Sequence, residues 1–97
     1  GSVSATQKVV GIVRLLAAPG GAGSNDCDVT IESDTSGFPS ATTQLTFTTL
    51  DQTSTATHEV MEANGSIGDT FWRSVVTISG GGSRTFNLVI VMGIIDQ

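Results

Sequence analysis

His58 is the single histidine of this 97-residue chain and Cys27 its single cysteine. Nucleophilic chemistry of the Ser-His-Asp or Cys-His kind therefore has to pass through one or both of them. Neither has the surroundings that chemistry needs. His58 sits in Thr57-His58-Glu59-Val60 with no nucleophile turn beside it. Cys27 alternates with Val29 and Ile31 and has no basic neighbour to hold a thiolate, so it reads as a small buried apolar side chain. No catalytic residue is assigned.

Oxygen donors cluster at Asp26, Asp28, Glu32 and Asp34, a composition that suits calcium. On a straight strand, however, residues two apart stand about 6 to 7 Å from each other and cannot converge on one ion. They read as solvated acids on a sheet face, and no metal and no cofactor is expected. Trp72 beside Arg73 resembles the aromatic platform on which a sugar ring stacks. A ligand surface built from Trp72 with the loops around Asn25 and Asp34 is the alternative functional expectation, that of a carbohydrate- or receptor-binding domain of a tail fibre or a secreted protein. Asn64-Gly65-Ser66 fits a glycosylation acceptor but reads as a turn. Gly80-Gly81-Gly82 lacks the lysine and the helix of a phosphate loop and reads as hairpin chemistry.

These residues have to be placed by strands. Gln7 to Ala17 is apolar on both alternating faces, with Lys8 and Arg14 as its polar anchors. Pro19 to Asn25 is a run of breakers and is expected to be a flexible loop. Asp26 to Ser33 has the clearest period of two, with Cys27, Val29 and Ile31 on one face. Asp34 to Ala41 reads as a crossover with Phe38 tucked against the edge. In Thr42 to Leu50, Leu45 and Phe47 point inward. Thr57 to Glu62 is a weaker strand with Val60, and Met61 beside it, directed to the interior. Phe71 to Ile78 and Phe86 to Met92 are expected to pair as a hairpin across Gly80-Gly82 and to form the centre of one sheet.

Six such segments separated by turns, with no helical periodicity, specify an all-β single domain over residues 1–97. The expected architecture is one antiparallel β-sandwich, jelly-roll-like or immunoglobulin-like, with about 6 to 8 strands. Gly1-Ser2 reads as the remnant of a cleaved tag and residues 3–6 as a flexible N-terminal arm.

Four basic residues against nine acids give a net charge of −5, which argues against nucleic acid as a partner. The longest apolar run, Leu88 to Ile95, is broken by Gly93 and falls far short of the about 18 residues a membrane helix needs. No membrane partner is expected. One cysteine permits no internal disulfide, so packing alone holds the fold.

The two-sided strands near the ends of the chain carry more aliphatic side chains than a small two-layer sandwich can hide. Full burial of a Val, Leu or Ile contributes about 1.5 to 3 kcal/mol, so leaving several in water forgoes an amount comparable to the stability of a small domain. The expectation is a homo-oligomer, such as a trimer, or docking on a larger surface. The candidate contact residues are Val10, Ile12, Leu16, Val89, Val91, Ile94 and Ile95.

Asp28-Val29-Thr30-Ile31-Glu32-Ser33-Asp34, Gly37-Phe38, Ala41-Thr42-Thr43 leading to Leu45-Thr46-Phe47-Thr48, Ile67-Gly68-Asp69-Thr70-Phe71-Trp72-Arg73, and Thr85-Phe86 onward to Gly93 together resemble a group of small tailed-bacteriophage structural proteins. The resemblance runs from about Lys8 to the end. It implies a β-sandwich virion component of the head-decorating or tail-accessory kind. Its expected partners are the chain itself and a larger virion protein such as the major capsid or tail protein. It carries over no catalytic residue.

Overall fold

Two strands organise the molecule, and both are central. In the computed structural model, which describes residues 1–97, β1 (Gln7–Leu15) lies between β5 (Thr57–Asn64) and β7 (Leu88–Asp96), forming the first sheet. β2 (Asp26–Asp34) lies between β6 (Phe71–Ser79) on one edge and the short pair β3 (Thr42–Thr46) and β4 (Leu50–Asp51) on the other, forming the second. All pairings are antiparallel, and the two sheets make a single small β-sandwich without helices. The Cα envelope measures 44 × 28 × 14 Å, a thin slab consistent with two layers packed about 10 Å apart.

The inner row of β1 is Val9, Gly11, Val13 and Leu15, all buried, and that of β2 is Cys27, Val29, Ile31 and Ser33, also buried. Leu45 and Phe47 close this core from the β3 side, as their alternation implies. Gly11 is the residue that lets the layers approach there. A Cβ on it would stand 2.8 Å from both Ile31 Cδ1 and Leu45 Cδ1. Gly11 substitutes empty space for a side chain so that three larger ones can fill it.

Several expectations change. Phe71–Ser79 and Leu88–Asp96 do not form a hairpin: they belong to different sheets, each is an edge strand, and residues 80–87 arch between the layers. The glycine run permits either outcome. Backbone approach to the preceding loop selects the arch, since a Cβ on Gly80, whose φ is 101°, would lie 2.6 Å from the Ser24 carbonyl oxygen.

The breaker-rich stretch before β2, expected to be flexible, is instead laddered to this arch. Thr85 N–H donates to Gly20 O, Ser83 N–H to Ala22 O and Gly82 N–H to Ser24 O, at 2.8 to 3.0 Å. The N-terminal arm is also tied down, because Val3 exchanges two backbone hydrogen bonds with Ile67 and is buried. The strand expected over Thr42–Leu50 is split, and Gln44 is the bulged residue at the register shift. Val60 points outward and Met61 inward, the reverse of the expectation for Val60. Phe38 adopts a φ of 67° and receives the Arg73 guanidinium on its ring at 4.4 Å.

Candidate functional site

The outer face of the first sheet is built from three strands in register. Val60 of β5, Ile12 of β1 and Val91 of β7 form one cross-strand row. Val10 lies between Glu62 and Gly93 in the next row, and Val89 and Ile95 extend the stripe along β7. Leu16 continues β1 beyond its last ladder pair, its N–H donating to Asn87 O at 2.9 Å. Leu16, Val60, Val89, Val91 and Ile95 each expose 43 to 53% of their surface, while Val10 and Ile12, on the central strand, are half-buried by their neighbours. With strands about 4.8 Å apart and residues rising about 3.4 Å each, the apolar area is roughly 10 Å across and 20 Å long.

Its polar margin is sparse. Lys8 Nζ donates to Glu62 Oε2 at 2.9 Å at one end, and Arg14 stands opposite His58 at the other.

Six of the seven proposed contact residues, Val10, Ile12, Leu16, Val89, Val91 and Ile95, thus fall on or at the end of this one face. Ile94 does not: it pairs with Val9, whose buried side chain marks the inner face, and is itself half-buried. Val60 belongs to the face and was missed. Its strand mixes polar and apolar residues on both phases. Glu59 occupies an inward phase because Thr48 N–H and Thr48 Oγ1 donate to its carboxylate at 2.7 and 2.6 Å. A glutamate at that phase hides the alternation that would have assigned Val60.

The second proposed surface is not brought together. Asn25 precedes β2 and Asp34 ends it, so roughly 30 Å of extended chain separates them. Both are buried and both are engaged. Asn25 Nδ2 donates to Ser79 O at 3.1 Å, its Oδ1 accepts from Arg84 N–H at 2.9 Å, and its own N–H donates to Gln52 Oε1 at 3.2 Å. Asp34 accepts from Ser40 N–H at 3.0 Å and from Thr35 N–H at 2.6 Å. The Ser40 amide foremost, with the Thr35 amide and hydroxyl, holds this carboxyl below the usual carboxylate range against the opposing effect of desolvation. Trp72 faces inward beside Ser33 and packs against the core, and its indole N–H donates to Gly1 O at 2.8 Å.

The remaining chemistry-bearing residues are dispersed or paired. Cys27 is fully buried, and desolvation, with the Asp28 charge second, pushes its thiol pKa up. His58 is exposed on the outer phase of the first sheet, while Cys27 faces inward from the second. Glu32 is paired with Arg73 at 2.8 Å, and Asp28 accepts from Thr49 Oγ1 at 2.5 Å. A part-buried relay, Gln44 Nε2 to Ser33 Oγ at 3.0 Å and Ser33 Oγ to Asp69 Oδ2 at 2.7 Å, has no histidine in it and ties the bulge of β3 to the approach of β6. No group of three or more His, Cys, Asp or Glu side chains is arranged to hold a metal ion. A cavity of about 190 Å³ opens between the β1–β5 side of the first sheet (Val13, Leu15, Thr57–Glu59) and the Phe47–Leu50 segment facing it.

Comparison with protein-family models, with curated proteins and with solved structures finds no match to this chain.

Proposed function

We propose that this chain is a non-enzymatic structural module of a bacteriophage virion that decorates or cements the capsid or tail. It lays the outer face of its first sheet on a larger virion protein such as the major capsid or tail protein. One observation carries the docking reading: a contiguous aliphatic stripe, Val10, Ile12, Val60, Val89, Val91 and Ile95, stands on the outer face of a sheet. The resemblance of the Asp28–Asp34, Thr42–Thr48 and Ile67–Arg73 segments to small phage structural proteins supplies the virion setting.

The energetics favour cover. Each of the five half-exposed aliphatics, Val60, Val89, Val91 and Ile95 of the stripe and Leu16 at its end, gains about 1 kcal/mol on losing its remaining water contact, half of the value for full burial. Together they contribute about 5 kcal/mol before the costs of association. Scattered apolar residues need no such account, but a stripe in one register does.

The test is retention on particles. The wild-type chain is expected to co-sediment with shells or tails that lack it and to appear by labelled electron microscopy at regular positions on them. Val91→Lys, a change at a half-exposed position, is expected to abolish retention while leaving the circular dichroism spectrum intact. Binding unaffected by Val91→Lys and Ile12→Lys together would overturn the docking face.

A further inference from the structure

Along its inner face the sandwich is covered on one flank and uncovered on the other. Cys27 and Val29 of β2 are 0% and 2% exposed, whereas their cross-strand partners on β6, Ile78 and Val76, are 50% and 43% exposed although they point the same way. Met92, on the inner phase of β7, is likewise exposed. β6 and β7 each have one unpaired backbone edge. Neither edge carries the lysine, proline or bulge that usually protects a free strand. On β6 the one charge, Arg73, is already neutralised by Glu32.

We infer that the β6 edge and the open flank behind it take a second copy of this chain, with the two β6 strands pairing antiparallel about a two-fold axis at Val75.

Charge identifies the occupant. The chain carries −5, so two copies repel unless they meet where acids are absent. β6 carries no acid, its Arg73 being paired with Glu32, and β7 carries only the terminal Asp96, so the strands of this flank bring at most one uncompensated charge per copy. The opposite flank carries Asp51, Glu59 and Glu62. In the proposed register Trp72 faces Ile78 of the other copy and Arg73 faces Thr77, an aromatic–β-branched pair and a neutral one, with no like charges opposed. The size also fits. A nine-residue strand is about 30 Å long, and across a 14 Å Cα thickness plus side chains the flank offers on the order of 700 Å². A stable dimer of standard size takes about 800 Å² from each partner. An isologous contact closes on itself, so it uses up the exposed edge and does not propagate.

This contact is independent of the outer face of the first sheet. Sedimentation velocity on the full chain is expected to show a dimer. The doubly substituted Val76→Lys/Ile78→Lys chain, with both changes at half-exposed sites, is expected to lower the association constant at least about tenfold, and Val91→Lys is expected to leave it unchanged. Val75→Cys, oxidised with copper–phenanthroline, is expected to give a covalent dimer on a denaturing gel. Opposed residues of an antiparallel pair have Cα atoms about 4.5 to 5.5 Å apart, within disulfide reach, and Cys27 is buried and does not compete. A monomeric wild type at millimolar concentration overturns the inference. So does association that survives Val76→Lys/Ile78→Lys in a folded protein, or that is lost on Val91→Lys instead. If the double substitution unfolds the chain, the Val75→Cys result decides alone: a covalent dimer supports the two-fold contact and its absence overturns it.

Discussion

The flank where β3 lies across from β5 and the flank formed by β6 and β7 are made from strands of the same two sheets, yet the second sheet's aliphatics become fully buried only toward the first. On the β3 side Leu45 and Phe47 reach over the inner row of β1, and Thr48 ties down Glu59 beside the cavity that opens there. On the β6 side Trp72, Leu88 and Ile90 pack against the core, but Val76, Ile78 and Met92 of the inner phases remain 38 to 50% exposed. Apolar composition therefore does not locate the core of this protein. The core lies where two layers face each other, and its boundary falls between β2 and β6, strands joined by a continuous ladder.

The sharpest way to break this contrast is to cut the same side chain on either side of the boundary. Ile31 and Ile78 are both inner-face isoleucines, at 1% and 50% exposure. Ile31→Ala is expected to lower unfolding free energy by about 2 to 5 kcal/mol, because it removes buried methylenes and leaves a cavity. Ile78→Ala is expected to cost less than about 1 kcal/mol in the dissociated protomer, because much of its surface is already hydrated. Equal losses in urea titrations at dilute concentration would show that both flanks are covered.

The next effect sharpens the closed side. Gly11→Val places a side chain where a Cβ alone would press on Ile31 and Leu45, and it is expected to destabilise the fold by about 1 to 3 kcal/mol, read as a lowered Tm. The same substitution at Gly93, whose Cβ would meet nothing, is expected to leave Tm nearly unchanged.

A smaller effect separates the two ends of the open side. Asn25 joins the arch of residues 80–87 to the second sheet through Ser79 and Arg84. Asn25→Ala leaves a donor and an acceptor unpaired at a cost of about 1 to 2 kcal/mol. Amide hydrogen exchange is expected to accelerate in β6 and β7 before it does in β3 and β5. Uniform acceleration would mean that the arch is not a separate local unit.

The smallest effect is an acid one. Asp34 has its pKa lowered by the Ser40 and Thr35 donors, and Asp51 by the Thr53 hydroxyl first and the Thr53 amide next. A carboxyl whose folded pKa lies below its unfolded value of about 3.9 stabilises the fold above that value, and the contribution is lost as pH falls through the folded pKa. Stability is therefore expected to decline below about pH 4, and Asp34→Asn is expected to flatten that decline in acid titrations of Tm.

Some of this was legible residue by residue. Cys27, Val29 and Ile31 alternate with polar neighbours, and a period of two assigns their face whatever lies opposite. Leu45 and Phe47 were legible for the same reason. The apolar outer face was visible as an excess of aliphatics on β1 and β7, and six of the seven candidate contact residues lie on or at the end of it. Ile94 was not separable from Ile95, because two adjacent isoleucines on a strand apolar on both phases carry no parity signal. Asn25 and Asp34 looked like exposed loop polars, and only the backbone donors and acceptors that converge on them show that they are internal fastenings.

What the chain alone determined is the strand content, the phase of β2 and the presence of more aliphatic surface than two thin layers can enclose, since each follows from alternation and composition. The tertiary structure decided which strands became central, that the last two were divided between sheets, and which flank stayed open. Those outcomes depend on contacts distant in sequence, Gly80 against Ser24, Gly11 against Ile31 and Leu45, and Thr48 against Glu59, and no local pattern of residues encodes the separation at which two layers can meet.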